Sequence, residues 1–215
     1  MEMHVVTKVS LRKALGEVRD TLARLSDHLE DLIDLGDFWE IARRYAVTNS
    51  FDSILMLLGI ILGGYFGGIE EPSVILKLIL AGTLSIFFSG SLGTYISERA
   101  ERELKVRELE RAVLMTLDET FISEMERRKA ILIALASGGI PSILVMTLSI
   151  SFKICELGLI EIKLSYTLSI LQALLLLFIM GFYLGSLSGG KRLSYALFTL
   201  GAGLLLLVMM IWLGV

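Results

Sequence analysis

Scarcity sets the first bounds on this chain of 215 residues. A single cysteine, Cys155, excludes an intramolecular disulfide and any thiolate metal cluster, and reads as a small apolar filler. The 2 histidines, His4 and His28, both fall in the N-terminal stretch and read as surface residues rather than ligands. Asn49 is the only asparagine and Gln172 the only glutamine; beside abundant Glu, Lys and Arg, that shortage of thermolabile amides suits a heat-tolerant chain. A surplus of positive charge is missing too. Lys and Arg number 20 against 23 Asp and Glu, a net charge of −3, so nothing favours nucleic acid as a partner. No nucleophile–base pair or metal–histidine set appears, so no enzyme is expected. The N-terminus is charged and amphipathic, without the short apolar core and cleavage site of a signal peptide.

What is abundant is apolar surface. Apolar residues make up 54% of the chain and mean hydropathy is +0.73, too high for an ordinary soluble domain of this length. Uncharged stretches run Ser53–Ile69, Leu78–Ser97, Ala130–Phe152, Leu164–Gly190 and Leu193–Val215. All but the first reach the roughly 20 residues that a helix needs to cross a bilayer. The first reaches that length only if Asp52 and Asn49 are counted into the membrane. The expected fold is therefore an all-α membrane protein with five transmembrane helices at about 48–69, 76–97, 130–152, 165–188 and 193–214. A charged side chain at a bilayer centre costs roughly 2.5–3.5 kcal/mol on insertion scales, so Asp52 is either shallow or used.

Charge placement predicts the topology. Lys8, Arg12, Lys13, Arg19, Arg24, Arg43 and Arg44 precede the first span, and eight basic residues from Arg99 to Lys129 lie between the second and third. The opposite connections are "GGIEEPS" and Lys153–Lys163, and the turn "SGGKR" adds Lys191 and Arg192 to the basic side. The positive-inside rule then puts the N-terminus in the cytosol and the C-terminus outside a plasma membrane.

Two cytoplasmic parts flank this pattern. Residues 1–45 read as amphipathic or coiled-coil helices, since Leu11, Leu15, Val18, Leu22, Leu25, Leu29 and Leu32 alternate four- and three-residue spacings. Gly36 ends that seam, and Asp37 with Glu40 reads as a capping box for the next helix. Phe38, Trp39, Ile41, Arg43 and Arg44 suit a helix at headgroup level. The segment 98–129, inserted into the membrane domain 46–215, holds nine acidic and eight basic residues. Glu101–Lys105, Glu103–Arg107 and Glu124–Arg128 suit a hairpin of solvated helices. The sharper alternative gathers Glu101, Glu108, Glu119 and Glu126 into a carboxylate site for a divalent cation.

The first two spans are rich in small residues: Gly59, Gly63, Gly64, Gly67 and Gly68, then Gly82, Ser85, Ser89, Gly90, Ser91, Gly93 and Thr94. Such residues let backbones approach closely in lipid. Asp52 and Met56 share a helix face, so a carboxylate stands beside a thioether. Pro141, in "SGGIPS", predicts a kink with freed carbonyls.

At "FDSILMLLGIILGG" and "GTLSIFFSGSLGTYISERAERE" the chain resembles the vacuolar iron transporter family, in particular its short prokaryotic and archaeal members. That family's first span carries glycines seven and eleven positions after an aspartate, where Gly59 and Gly63 follow Asp52 here. Its second-span frame Ser-Met-x-x-Gly-Glu-Tyr-x-Ser is matched by Ser89, Gly90, Gly93, Thr94, Tyr95 and Ser97, with Arg99 and Glu101 beyond. The resemblance implies a homodimer that exchanges cytosolic Fe²⁺ or Mn²⁺ for protons, with the metal as cargo and no resident cofactor. It implies an extended second helix leading to a glutamate-rich metal region. It also implies Asp52 as the pathway carboxylate and Glu101 and Glu108 as cytoplasmic acidic positions. Asn49, Met56, Ser89 and Thr94 complete the expected pathway. Gly90 stands where the family has methionine, and Thr94 where it has glutamate. The competing reading is a membrane interaction protein that dimerises through its leucine seam and glycine-rich spans and moves no ion. Asp52 would then be a helix-end carboxylate held by Asn49 or Arg44.

Overall fold

A computed structural model describes residues 38–113, 121–187 and 189–213, with the backbone alone at 106, 109, 112, 113 and 121–126. By internal contact the chain divides into residues 1–41 and 42–215. The leucine seam, His4, His28, the capping residue Asp37, Glu119 and the side chains of Glu124 and Glu126 all lie outside the described residues. Among the described residues all regular structure is helical. Helix α1 covers Phe38–Phe66. It is followed by α2 (Pro72–Val113), α3 (Phe121–Met146), a 3₁₀ turn at Thr147–Ser149, α4 (Ile150–Glu156), α5 (Ile162–Leu187) and α6 (Arg192–Trp212). Five helices are long and apolar enough to cross a membrane, the third being the run Arg127–Glu156 through α3, the 3₁₀ turn and α4.

Two left-handed glycines end helices at one side of the bundle. At Gly68 (φ 68°) the Ile69 N–H reaches Gly64 O at 3.0 Å and the Gly68 N–H reaches Tyr65 O at 3.2 Å. That pair of bonds satisfies carbonyls that the end of α1 would orphan, and only a residue without Cβ adopts the required φ cheaply. Pro72 then opens α2, where its missing N–H costs nothing. Gly158 (φ 75°) repeats the device after α4, with Leu159 N–H to Ile154 O at 3.3 Å and Gly158 N–H to Cys155 O at 2.8 Å.

Helix α2 is one helix of 42 residues and runs on past Ser97 into the charged sequence. There Glu101 pairs with Lys105 at 3.6 Å, whereas Glu103 pairs with Arg99 at 2.7 Å instead of the expected Arg107. Either partner lies one turn away on the same exposed face, and such pairs differ by only a few tenths of a kcal/mol. Helix α3 passes through Pro141 without ending, and the α-helical pattern yields to the 3₁₀ turn only after Met146. At that break Ser169 Oγ donates to Leu148 O at 2.9 Å, and the lone glutamine, Gln172, donates from Nε2 to Thr147 Oγ1 at 2.9 Å. Polar groups freed within hydrocarbon need such partners.

Helix α1 is the centre of the bundle. Its Ile54, Leu57, Leu58, Ile61 and Leu62 are buried against Ile75, Ile79 and Ile86 of α2, Val145, Leu148 and Phe152, and Ala173 and Leu177 of α5. Half of its apolar window is buried, against 17% for the peripheral α6. Glycine sets the closest approaches. A Cβ on Gly138 of α3 would fall 2.8 Å from Ser91 N of α2, and one on Gly185 of α5 would fall 2.5 Å from Arg192 Cα. Gly201 instead faces open space. We therefore expect Gly138→Leu to cost about 1–3 kcal/mol through overpacking. Gly201→Ala should stabilise by about 0.4–1 kcal/mol. Thermal unfolding in detergent checks both, with the melting temperature falling for the first and rising for the second.

Candidate functional site

The site grows from a defect in α3. Proline has no backbone N–H, so Pro141 leaves the carbonyl of Ser137, four residues earlier, without its helical donor. The vacancy is filled from α1: Asn49 Nδ2 donates to Ser137 O at 3.2 Å and to Ser137 Oγ at 2.7 Å. A serine hydroxyl has one proton and two acceptor positions. Ser137 Oγ uses all three, donating to Gly90 O on α2 at 3.3 Å while accepting from Asn49 and from Thr94 Oγ1 at 2.6 Å. One residue of α3 thus ties α1 to α2.

That junction explains the residues found at Gly90 and Thr94. A Cβ on Gly90 would lie 3.0 Å from Gly138 Cα, 3.2 Å from Ser137 O and 3.4 Å from Asn49 Nδ2. A methionine side chain there would have to displace α3. Thr94 is 5% exposed and gives its hydroxyl proton to Ser137. Both positions serve the packing of α2 on α3.

Beside the junction α1 and α2 enclose an open groove of about 420 Å³. Asn49, Asp52, Met56, Ser89 and Thr94, the five residues expected on a pathway, all line it, together with Tyr45, Ser53, Ile86, Gly90, Gly93 and Ser97. Periodicity accounts for the gathering: Asn49, Ser53 and Met56 follow one stripe of α1 with Asp52 at its edge, while Gly90, Thr94 and Ser97 follow one stripe of α2. Met56 is 47% exposed. Asp52 is exposed as well, and among the described residues its carboxylate has no hydrogen-bond or ion-pair partner. The competing assignment of Asp52 to Asn49 or Arg44 does not describe this geometry. The Asn49 amide is committed to Ser137, and the Arg44 guanidinium lies over the Tyr45 ring at 5.5 Å. Asp52 stands eight residues past Arg44, about 12 Å further along the helix at 1.5 Å per residue.

The cytoplasmic carboxylates are arranged otherwise. Glu101 is exposed and paired with Lys105, and Glu108 is exposed two turns further along α2. Among the described residues no three Asp, Glu, His or Cys side chains gather as a metal site. Ser137 and Tyr45 were missed from the sequence, though Ser137 was marked by its position four before Pro141 and Tyr45 by its position one turn before Asn49. Glu98, buried one turn beyond Thr94 and off the groove wall, was not singled out either.

The chain is similar to the uncharacterized protein MJ0645 of Methanocaldococcus jannaschii, with 26% identity over 152 residues, covering 69% of this chain and 76% of that protein. No protein-family model and no solved structure matches it.

Asn49→Leu should destabilise the bundle by about 1 kcal/mol, the scale of an interhelical hydrogen bond in a membrane. Pro141→Ala restores an N–H for the Ser137 carbonyl, so the same Asn49→Leu change should cost less in that background. Unfolding of the four variants in mixed micelles checks this. Strictly additive effects would show that the two residues do not share the carbonyl.

Proposed function

We propose that this chain is a homodimeric, multi-pass plasma-membrane transporter that exports divalent iron or manganese from the cytosol, exchanging it for protons through the Asp52 groove. The observation that carries the reading is a carboxylate within a membrane helix that has no partner among the described residues, in one groove with seven other polar or thioether side chains. A charge left against lipid is costly, and such residues in membrane helices mark ion or proton pathways. Carboxylate, hydroxyl and thioether donors together suit Fe²⁺ and Mn²⁺, which accept oxygen ligands and tolerate a softer one. Protons and metal compete for the same carboxylate oxygens, so alternate occupancy of Asp52 couples the two fluxes. The resemblance of the first two spans to the vacuolar iron transporter family points the same way.

The dimer reading rests on α2. Ser85, Ser89, Gly93 and Ser97 recur every four residues and are all exposed on this membrane-spanning helix. Small residues at this spacing let a second helix approach closely, and a second copy would roof the groove that one copy leaves open. The basic residues Arg43, Arg44, Lys191 and Arg192 fall at the ends that would face the cytosol, with the N-terminus inside and the C-terminus outside. A second reading, a dimer that moves no ion, is favoured by one observation: Gly90 and Thr94 are absorbed in packing and supply no side-chain methionine or glutamate.

Flux separates the two readings. In proteoliposomes loaded with a metal-sensitive dye, the wild-type chain should move Mn²⁺ and Fe²⁺ down an opposing proton gradient. Asp52→Ala should lower that flux by about a hundredfold, the upper range for loss of a group on which metal affinity depends. Equal flux in wild type and variant would overturn the proposed path.

A further inference from the structure

The cations at the helix ends fall into two groups. On the extension of α2, Arg99, Arg102 and Lys105 each pair with a glutamate one turn away. Helices α5 and α6 offer no such partners. From residue 162 to residue 215 the sequence holds three basic residues, Lys163, Lys191 and Arg192, and no acidic one. Lys163 lies at the far end of α5, whereas Lys191 and Arg192 stand together at the turn into α6, both exposed. Among the described residues neither has a carboxylate partner.

Packing fixes the pair at this surface. Gly181 and Gly185 draw the two helices together: a Cβ on Gly181 would fall 2.6 Å from Tyr195 O. Gly189 and Gly190, at φ 81° and 140°, give the tight reversal that this closeness requires. The Arg192 guanidinium is thereby set over the Phe182 ring, 5.8 Å from its centroid. That cation–π contact orients the guanidinium and uses none of its five N–H donors. Tyr183 and Tyr195 lie about one turn inside the ends of α5 and α6 that meet here. Both are exposed, and among the described residues neither hydroxyl has a hydrogen-bond partner. Exposed tyrosines at such a depth mark the boundary between headgroups and acyl chains.

We propose that the α5–α6 turn binds the headgroup of an anionic phospholipid, Lys191 and Arg192 taking its phosphate and Tyr183 and Tyr195 the glycerol esters beneath. Charge decides the class. A zwitterionic headgroup brings its own cation, which two unneutralised cations repel. A net negative headgroup meets only attraction, because neither helix carries an acid. The site uses no residue of the Asp52 groove and does not rest on the transport reading.

Native mass spectrometry of the full-length protein in micelles, titrated with phosphatidylglycerol or with phosphatidylcholine, reads the affinity for each. The wild-type chain should prefer phosphatidylglycerol on the order of twentyfold, about fivefold for each of the two cations. Lys191→Gln combined with Arg192→Gln should bring the two affinities close together. Arg99→Gln combined with Lys105→Gln changes the net charge equally but removes cations already paired, so the preference should stay within about twofold. Equal losses in the two double variants indicate general attraction to a charged protein and overturn the site. A wild-type chain without preference overturns it too, the pattern expected if an acidic segment of the chain itself covers the turn. Should the Lys191–Arg192 double variant fail to fold, Lys191→Gln decides alone. A loss of about fivefold in phosphatidylglycerol affinity supports the site, and no loss overturns it.

Discussion

The bundle turns on one backbone carbonyl. Pro141 deprives Ser137 O of its donor within a membrane-spanning run, where an orphaned carbonyl in hydrocarbon costs several kcal/mol. The Asn49 amide takes up that carbonyl across the helix interface. Once Asn49 is fixed, much else follows. Ser137 Oγ fills its remaining positions from Gly90 and Thr94, so α2 must come close enough for Gly90 and Gly138 to leave no room for a side chain. The same commitment denies Asp52, three residues along α1, the neighbour best able to bond it. Packing and the unpartnered carboxylate therefore have one cause.

That cause also accounts for the form of the groove. Its α3 side is closed by Ser137, whose hydroxyl fills all three of its hydrogen-bond positions, and its open side exposes Asp52, Met56 and Ser89. Complete hydrogen bonding makes the sealed side rigid, since moving any member would strand a buried polar group. Where the vacuolar iron transporter frame has methionine and glutamate on α2, this chain has a glycine and a threonine turned toward α3. The thioether and carboxylate on offer instead come from Met56 and Asp52 of the facing helix.

Much of this was legible in the sequence for a simple physical reason. Hydrocarbon imposes long uncharged runs, and those runs marked all five spans, including the need to count Asp52 into the first. Helical periodicity placed Asp52 beside Met56, the length of the first span brought in Asn49, and the resemblance to a transporter frame added Ser89 and Thr94; all five line the groove. Pro141 flagged freed carbonyls, but periodicity cannot say which distant donor takes one up, so the Asn49–Ser137 bond was invisible. Glu98 was overlooked because it opens a charged run in which every acid has a basic residue nearby. Burial alone separates it from Glu101, and burial depends on how α1 crosses α2.

The central claim is that the groove beside Asp52 admits a divalent cation from the cytosolic side. Its most direct test is the reactivity of a thiol placed at Ser89, with Cys155→Ser removing the native one. A small membrane-impermeant thiol reagent applied from the cytosolic face should label the Ser89→Cys variant, and Mn²⁺ should slow that labelling in the presence of Asp52 but not in Asp52→Asn. A thiol that reacts at the same rate with and without Mn²⁺ while Asp52 is intact would contradict the account.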